Sequence, residues 1–256
     1  MTASPATADA APRDDVPLWV PAAGDRRRHP APAQLRFFHG PMDCGKSTLA
    51  LQVDHNQSRQ GRQGLLLTQG DRSAAPMITS RIGMERSALE VHAGTDLRLV
   101  VRERWAAGHR VDYLIVDEAQ FLSPTQVDQL AELVDDSHVD VYAFGLTTDF
   151  RGRLFPGTQR LLELADDVER IQVEVLCWCG LPGLLNARVV DGAMVREGET
   201  VVVADTAPPP PPAGGDDGAA AAGGAPAVRY QVLCRGHYVR GQLGPTATAP
   251  GQLALP

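Results

Sequence analysis

The stretch GPMDCGKST, residues 40–48, has the residue types and spacing that phosphate binding requires. Gly40, Gly45, Lys46 and Ser47 match the P-loop pattern G-x4-G-K-[ST], between an apolar run and a predicted helix. In such a loop the glycines let backbone N–H groups converge on phosphate oxygens at a helix N-terminus. The lysine reaches the β- and γ-phosphates, and the serine hydroxyl ligates Mg²⁺. The stretch therefore predicts a nucleotide site.

Lys46 is the only lysine in the chain, and the other residues among the 24 counted as Lys or Arg are arginines. On a protein surface the two side chains are nearly interchangeable. Among crowded phosphate oxygens they are not, because a compact ammonium fits where a planar guanidinium does not. Because the one lysine belongs to the phosphate loop, none remains for the Asn-Lys-x-Asp motif that recognises guanine. This argues against a GTPase of the common type.

A second candidate site follows the apolar run VDYLIV, which ends in Asp117 and Glu118. An aspartate after such a run is the Walker B pattern, which holds Mg²⁺. Glu118 could deprotonate an attacking hydroxyl, and the alternative is that the two acids only end a strand at the solvent edge. In open α/β sheets ligands bind at the carboxyl ends of the strands, so both candidate regions can share one site.

Three cysteines and a histidine form a third group. Cys177 and Cys179 are spaced C-x-C, and Cys234 and His237 are spaced C-x2-H. Three thiolates and one imidazole are the ligand set of a closed, structural zinc site, although C-x-C is tighter than the usual C-x2-C. The alternative is two unrelated groups of buried thiols. Cys44, inside the phosphate loop, stands apart from this set.

Alternating strands and helices are expected to position these groups. Apolar runs predict strands at residues 35–40, 64–69, 111–118 and 139–146. Helices are predicted at residues 46–60 and 124–134, the second with Ser123 as N-cap and Pro124 as its first residue. This alternation predicts an α/β fold with a parallel sheet. Short β-like pieces at residues 188–190, 200–203 and 230–233 surround the cysteine-bearing turns and predict a small β-rich lobe that needs a metal.

Composition divides the chain further. Residues 1–33 and 241–256 are predicted to be disordered tails, residues 34–173 a nucleotide-binding domain, and residues 174–240 the zinc-binding lobe. Within the lobe, the Pro-, Gly- and Ala-rich residues 207–227 predict a flexible insertion. The net charge of −7 argues against nucleic-acid binding, and no run approaches the roughly 18 apolar residues of a membrane span. The N-terminus has no apolar core of signal-peptide type, so a cytoplasmic protein is expected.

Several longer stretches carry a resemblance to a known family. They are GPMDCGKS, SRIG (residues 80–83), VDEAQFL (116–122), FGLTTDFRGRLFPGTQRLL (144–162), CWCG and VRYQVLCRGHY (228–238). In this order, from about Leu35 to Arg240, they resemble the type II thymidine kinases, the zinc-containing family of cytosolic type, in its bacterial branch.

The resemblance implies an α/β P-loop parallel-sheet domain, a small zinc-binding lobe that carries a lasso loop, and a homotetramer. It also implies transfer of the ATP γ-phosphate to the 5′-hydroxyl of thymidine or deoxyuridine, in nucleotide salvage for DNA synthesis. Glu118 is then the catalytic base. The residues expected to bind ATP and Mg²⁺ are Gly40, Pro41, Met42, Asp43, Cys44, Gly45, Lys46, Ser47, Asp117, Glu118, Ala119 and Gln120. The residues expected to bind the nucleoside are Met42, Phe121, Leu146, Phe150, Phe155 and Tyr230. The expected Zn²⁺ ligands are Cys177, Cys179, Cys234 and His237.

Arg72 and Arg81 are further candidates on the phosphate side. Two departures from the family pattern stand out. Gly70 occupies a position where the family usually has an acid, and the insertion at residues 207–227 falls within the lasso. The alternatives are a P-loop ATPase that drives a partner, a zinc-ribbon module that binds nucleic acid, and a kinase of a different nucleoside.

Overall fold

A six-stranded sheet forms the centre of the structure, a computed structural model that describes residues 32–69, 76–80, 82–198 and 228–244. The strand order is β5-β2-β6-β7-β1-β8, and every neighbouring pair is parallel, which confirms the predicted sheet. The strands are β1 (Leu35–Gly40), β2 (Gly64–Thr68), β5 (Leu89–Glu90), β6 (Tyr113–Val116), β7 (Asp140–Leu146) and β8 (Asp167–Arg170). Between β2 and β5 lies a short antiparallel hairpin of β3 (Met77–Thr79) and β4 (Glu85–Ser87).

Helices connect the strands. They are α1 (Lys46–Arg59), α2 (Leu97–Ala106), α3 (Pro124–Ser137) and α4 (Pro156–Leu164), with a single 3-10 turn at Ala119–Phe121. Helix α3 begins as predicted, with Pro124 at its start and a capping box between Ser123 and Gln126, and it ends three residues beyond the predicted end. Helix α1 begins directly at Lys46, so the loop lysine lies at a helix N-terminus.

The apolar strand β6 is buried on both faces, which explains its continuous apolar run. Leu114 and Val116 face a core cluster shared with α2 and α3, whereas Tyr113 and Ile115 face a cluster shared with α1. Successive side chains point to opposite faces of a strand. Here both faces are covered, so all four side chains are buried. Burying one such side chain contributes about 1.5–3 kcal/mol, so the packing of β6 fixes the strand that leads into Asp117.

A second, three-stranded antiparallel sheet has the order β10-β9-β11. Its strands are β9 (Leu185–Val190), β10 (Ala193–Val195) and β11 (Val228–Leu233), followed by the short helix α5 (Arg235–Arg240). Strands β9 and β11 contain the predicted pieces at residues 188–190 and 230–233, whereas the piece at 200–203 and the insertion at 207–227 lie outside the described residues. A small core of Cys177, Ala187, Leu233, Cys234 and Tyr238 supports this sheet.

Several elements were not anticipated from the sequence, among them α2, α4, the β3–β4 hairpin and the edge strands β5 and β8. Strand β8 is mostly exposed, so it has no apolar pattern to reveal it. Of the predicted disordered tails, most residues lie outside the described structure. Ala33 packs against the central core, however, and the Gly244 N–H donates to the Gln231 side chain. Across the described ranges, every helix is too short or too polar to cross a membrane.

Candidate functional site

The phosphate loop and the acidic strand end meet at one edge of the central sheet. Strand β1 leads into the loop at Gly40, and β6 ends one residue before Asp117, with only β7 between the two strands. The Ser47 hydroxyl donates to Oδ2 of Asp117 over 2.7 Å. The two regions predicted separately from sequence therefore form a single site, as the parallel sheet requires.

Backbone conformation shapes the loop around Lys46. Asp43 and Gly45 have left-handed φ angles of 68° and 81°. The Lys46 Nζ donates to the Pro41 carbonyl oxygen at 2.7 Å, and only 8% of the lysine is exposed. The ammonium therefore lies inside the loop and not in bulk solvent.

Cys44 packs beneath the loop. It is fully buried, and a Cβ on Gly40 would lie 2.5 Å from its Sγ. Real Cβ atoms do not approach other atoms so closely, so the first glycine of the motif is required here for space. The sequence places Cys44 in the loop, and the fold brings its sulfur against Gly40.

Asp117 is a buried acid in a crowded position, 5% exposed. Burial and the neighbouring Glu118 carboxylate raise its pKa to about 6, against the opposing effects of the Ser47 hydroxyl, the Glu118 N–H and Lys46. A divalent cation beside Asp117 and Ser47 would favour the ionised carboxylate. The two oxygens are of the hard type that Mg²⁺ prefers, so this pair fits the predicted metal.

Glu118 has a left-handed backbone, with φ of 54°, which is uncommon for a residue other than glycine. Its N–H donates to Oδ1 of Asp117 at 3.0 Å. Its Oε2 accepts a bond from Nε2 of Gln120 at 2.5 Å, and Oε1 of Gln120 accepts from the Leu146 N–H at 2.9 Å. Gln120, predicted as a nucleotide-binding residue, is thus placed between Glu118 and the end of β7.

The residues predicted to bind the nucleoside do not all line one open surface. Phe121 and Phe155 pack edge to face, with ring centroids 5.6 Å apart. Phe150 is buried beneath Arg188, whose guanidinium carbon lies 3.7 Å from the ring centroid. Arg188 also donates from Nε to the Tyr230 hydroxyl at 3.1 Å.

Arg188 therefore joins two predicted nucleoside residues, and sequence reasoning missed it. Its signal in the sequence was a single charge in the otherwise apolar half of strand β9, LNARVV. A second missed residue lies on the same strand. Asn186 is 3% exposed, and its Oδ1 accepts a bond from the Met42 N–H in the phosphate loop at 2.8 Å.

The predicted zinc ligands Cys177, Cys179, Cys234 and His237 come together, with their ligand atoms all within 4.8 Å of one another. Cys179 and Cys234 have their sulfur atoms 3.9 Å apart, and Nδ1 of His237 lies 3.3 Å from Sγ of Cys177. Tetrahedral zinc with bonds of about 2.3 Å to sulfur separates its sulfur ligands by about 3.8 Å. The set fits such an ion in number, chemistry and spacing.

Trp178, between the two cysteines of the C-x-C turn, stacks on His237 with ring centroids 4.1 Å apart. Gly244 also approaches Trp178 so closely that a Cβ on Gly244 would lie 2.7 Å from Trp178 Cγ. The tighter C-x-C turn thus places an aromatic ring against the histidine of the cluster. The described residues do not include Gly70, Arg72, Arg81 or the predicted insertion at residues 207–227.

Comparisons with known proteins point to one family. The sequence model of the thymidine kinase family matches residues 33–238. A thymidine kinase of Streptomyces coelicolor is 52% identical over 216 residues, 84% of this chain and 93% of that protein. Those of Cutibacterium acnes and Legionella pneumophila strain Paris are 49% and 36% identical over 217 residues. With a P-loop joined to an acidic strand end and a family match over most of its length, the chain belongs to the thymidine kinase family.

Proposed function

We propose that this chain is a thymidine kinase that transfers the γ-phosphate of ATP to the 5′-hydroxyl of thymidine, giving dTMP and ADP. The observation that carries the proposal is the contact between Ser47 and Asp117, with Glu118 beside it, in a chain of this family. The contact joins a phosphate-binding loop to a pair of acids, which is the arrangement that Mg²⁺-dependent phosphoryl transfer requires.

On the phosphate side, Lys46 and the loop amides offset the charge on the transferring group. Ser47 and Asp117 would hold the Mg²⁺ ion, which would neutralise charge on the phosphate oxygens. The residues proposed to surround ATP and the metal are Gly40, Pro41, Met42, Asp43, Cys44, Gly45, Lys46, Ser47, Asp117, Glu118, Ala119 and Gln120.

Glu118 acts as the general base that accepts the proton of the 5′-hydroxyl. Its carboxylate is held by the Gln120 amide, and its backbone is held by Asp117. We therefore assign Gln120 to the orientation of Glu118, a role more specific than general nucleotide binding.

The nucleoside side is built from Met42, Phe121, Leu146, Phe150, Phe155 and Tyr230. Arg188 orders two of these residues, because it stacks on Phe150 and donates to Tyr230. Deoxyuridine, which differs from thymidine by one methyl group on the base, is a second proposed substrate. Support for these assignments comes from the positions of the residues and from the family match.

The Cys/His cluster is proposed to hold a structural Zn²⁺ ion that stabilises the small sheet, because its four ligands leave no open coordination position. A homotetrameric assembly, a cytoplasmic location and a role in nucleotide salvage are proposed from the family resemblance alone.

The test is ADP production by the purified full-length chain with ATP and Mg²⁺, with and without thymidine. ADP release that depends on thymidine, together with a product of the mass of dTMP, supports the proposal. ADP release that is unaffected by thymidine would instead support an ATPase coupled to a partner. A panel of nucleosides, read by product mass, distinguishes thymidine from the other acceptors.

A further inference from the structure

Asn186 belongs to the small sheet, yet its side chain contacts the phosphate loop. It is 3% exposed and lies on β9, and its Oδ1 accepts a hydrogen bond from the Met42 N–H at 2.8 Å. Pro41 has no N–H, so the Met42 amide is the first backbone donor after Gly40 in the loop. The small sheet therefore binds a backbone group of the loop directly.

Asn186 and Lys46 bind opposite sides of one peptide unit. The Pro41 carbonyl and the Met42 N–H belong to the same planar group. Lys46 donates to that carbonyl at 2.7 Å, while Asn186 accepts from that N–H at 2.8 Å. Rotation of this peptide plane would break both bonds together, so the position of Asn186 sets the direction of the carbonyl that receives the lysine.

The same strand also contacts the nucleoside side. Asn186 and Arg188 are two residues apart on β9, so their side chains leave the strand on the same face. Arg188 stacks on Phe150 and donates to Tyr230, which is its direct partner across the sheet. One face of one strand thus contacts both the phosphate loop and two proposed nucleoside residues.

We propose that Asn186 is a positioning residue for phosphoryl transfer, which orients the Pro41–Met42 peptide and through it the resting position of Lys46. It does not touch ATP or the reacting atoms. This inference rests on the proposed function, because it assigns the loop to ATP. It adds that the shape of the loop depends on the small sheet and not only on the motif at residues 40–47.

The chain offers a matched control. Gln231, on the neighbouring strand β11, also accepts a backbone N–H through its side-chain oxygen, from Gly244 at 3.1 Å. That bond joins the small sheet to the residues after α5 and does not involve the phosphate loop. Asn186→Leu and Gln231→Leu therefore each remove one amide acceptor from the same sheet and put a leucine in its place.

The experiment compares the two variants with the wild type in KM for ATP, KM for thymidine, kcat and Tm. For Asn186→Leu we expect KM for ATP to rise about threefold to tenfold, the effect of one lost hydrogen bond, with KM for thymidine changed less than about twofold. For Gln231→Leu we expect both KM values to stay within about twofold. An unchanged KM for ATP in Asn186→Leu, or an equal rise in both KM values, would overturn the proposal.

Two further measurements keep the outcome decisive. If Asn186→Leu does not fold, hydrogen exchange of the Met42 amide in the wild-type chain is measured instead. Slow exchange of this amide relative to its rate in an unstructured peptide of the same sequence supports the proposal, and exchange at the unstructured rate overturns it. The affinity of each variant for MgADP, measured by calorimetry, does not depend on turnover. If the wild type shows no thymidine-dependent ADP release, the proposed function is refuted. The comparison of MgADP affinities still decides the role of Asn186.

Discussion

Gln120 donates to the Glu118 carboxylate over 2.5 Å while its own carbonyl accepts the Leu146 N–H at the end of β7. Because the strand end occupies the oxygen of the amide, the NH₂ group must face Glu118. Gly145 leaves space for this arrangement, since a Cβ there would lie 2.9 Å from Gln120 Oε1. The orientation of Glu118 is thus set by the neighbouring strand as well as by its own loop.

Replacing Glu118 with glutamine should lower kcat by a factor of roughly 10²–10⁴, the usual contribution of a general base. The amide retains the size of the side chain but cannot accept the proton. Affinity for MgATP, measured by calorimetry, should stay close to that of the wild type. The control is Glu163→Gln, which changes an exposed glutamate that pairs with Arg160 on α4. Normal turnover by Glu118→Gln would remove Glu118 from the mechanism.

Replacing Gly40 with alanine should weaken nucleotide binding, because the added Cβ would lie 2.5 Å from the Cys44 sulfur. Such overpacking destabilises the native loop by about 1–3 kcal/mol, because the loop must move to accommodate the methyl group. Removing the sulfur should restore part of the loss, so Gly40→Ala/Cys44→Ala should bind MgADP more tightly than Gly40→Ala alone. Titration calorimetry measures the MgADP affinity of the two variants. If the losses of affinity from the two substitutions simply add, the contact does not govern the loop.

The purified chain should contain one zinc ion, and Cys179→Ser should lose it. Metal content by mass spectrometry and Tm by calorimetry are the measurements. Loss of the metal should lower Tm by several degrees, since ~1 kcal/mol corresponds to about 2–4 °C in a chain of this size. Trp178 stacks on His237, so its fluorescence should change when a chelator removes the ion.

Cys44→Ser is the control for the zinc site, because Cys44 lies in the phosphate loop and not in the cluster. It should retain the metal. If Cys44→Ser and Cys179→Ser lose zinc equally, or if neither wild type nor variant contains it, the assignment of the four ligands is wrong.

Local sequence patterns were sufficient for those parts of the site that depend on short-range geometry. The P-loop motif requires a strand, a turn and a helix within a few residues, and β1, the loop and α1 follow that order. The doubly buried β6 has an apolar run that no exposed strand shows, so Asp117 and Glu118 could be placed at its end. The mostly exposed edge strand β8 and the half-exposed helix α2 have no such apolar run and were missed.

By itself the sequence determined the phosphate loop, the acidic strand end and the two pairs of candidate metal ligands, because each depends on residue types at short spacing. The order of the longer motifs along the chain indicated the family. Only the tertiary structure decided that Asn186 holds the Met42 amide and that Arg188 covers Phe150. These pairs are far apart in the sequence, and each contact depends on how the small sheet packs against the nucleotide-binding domain. A buried polar side chain can satisfy its hydrogen bonds with many partners, and folding selects which one it meets.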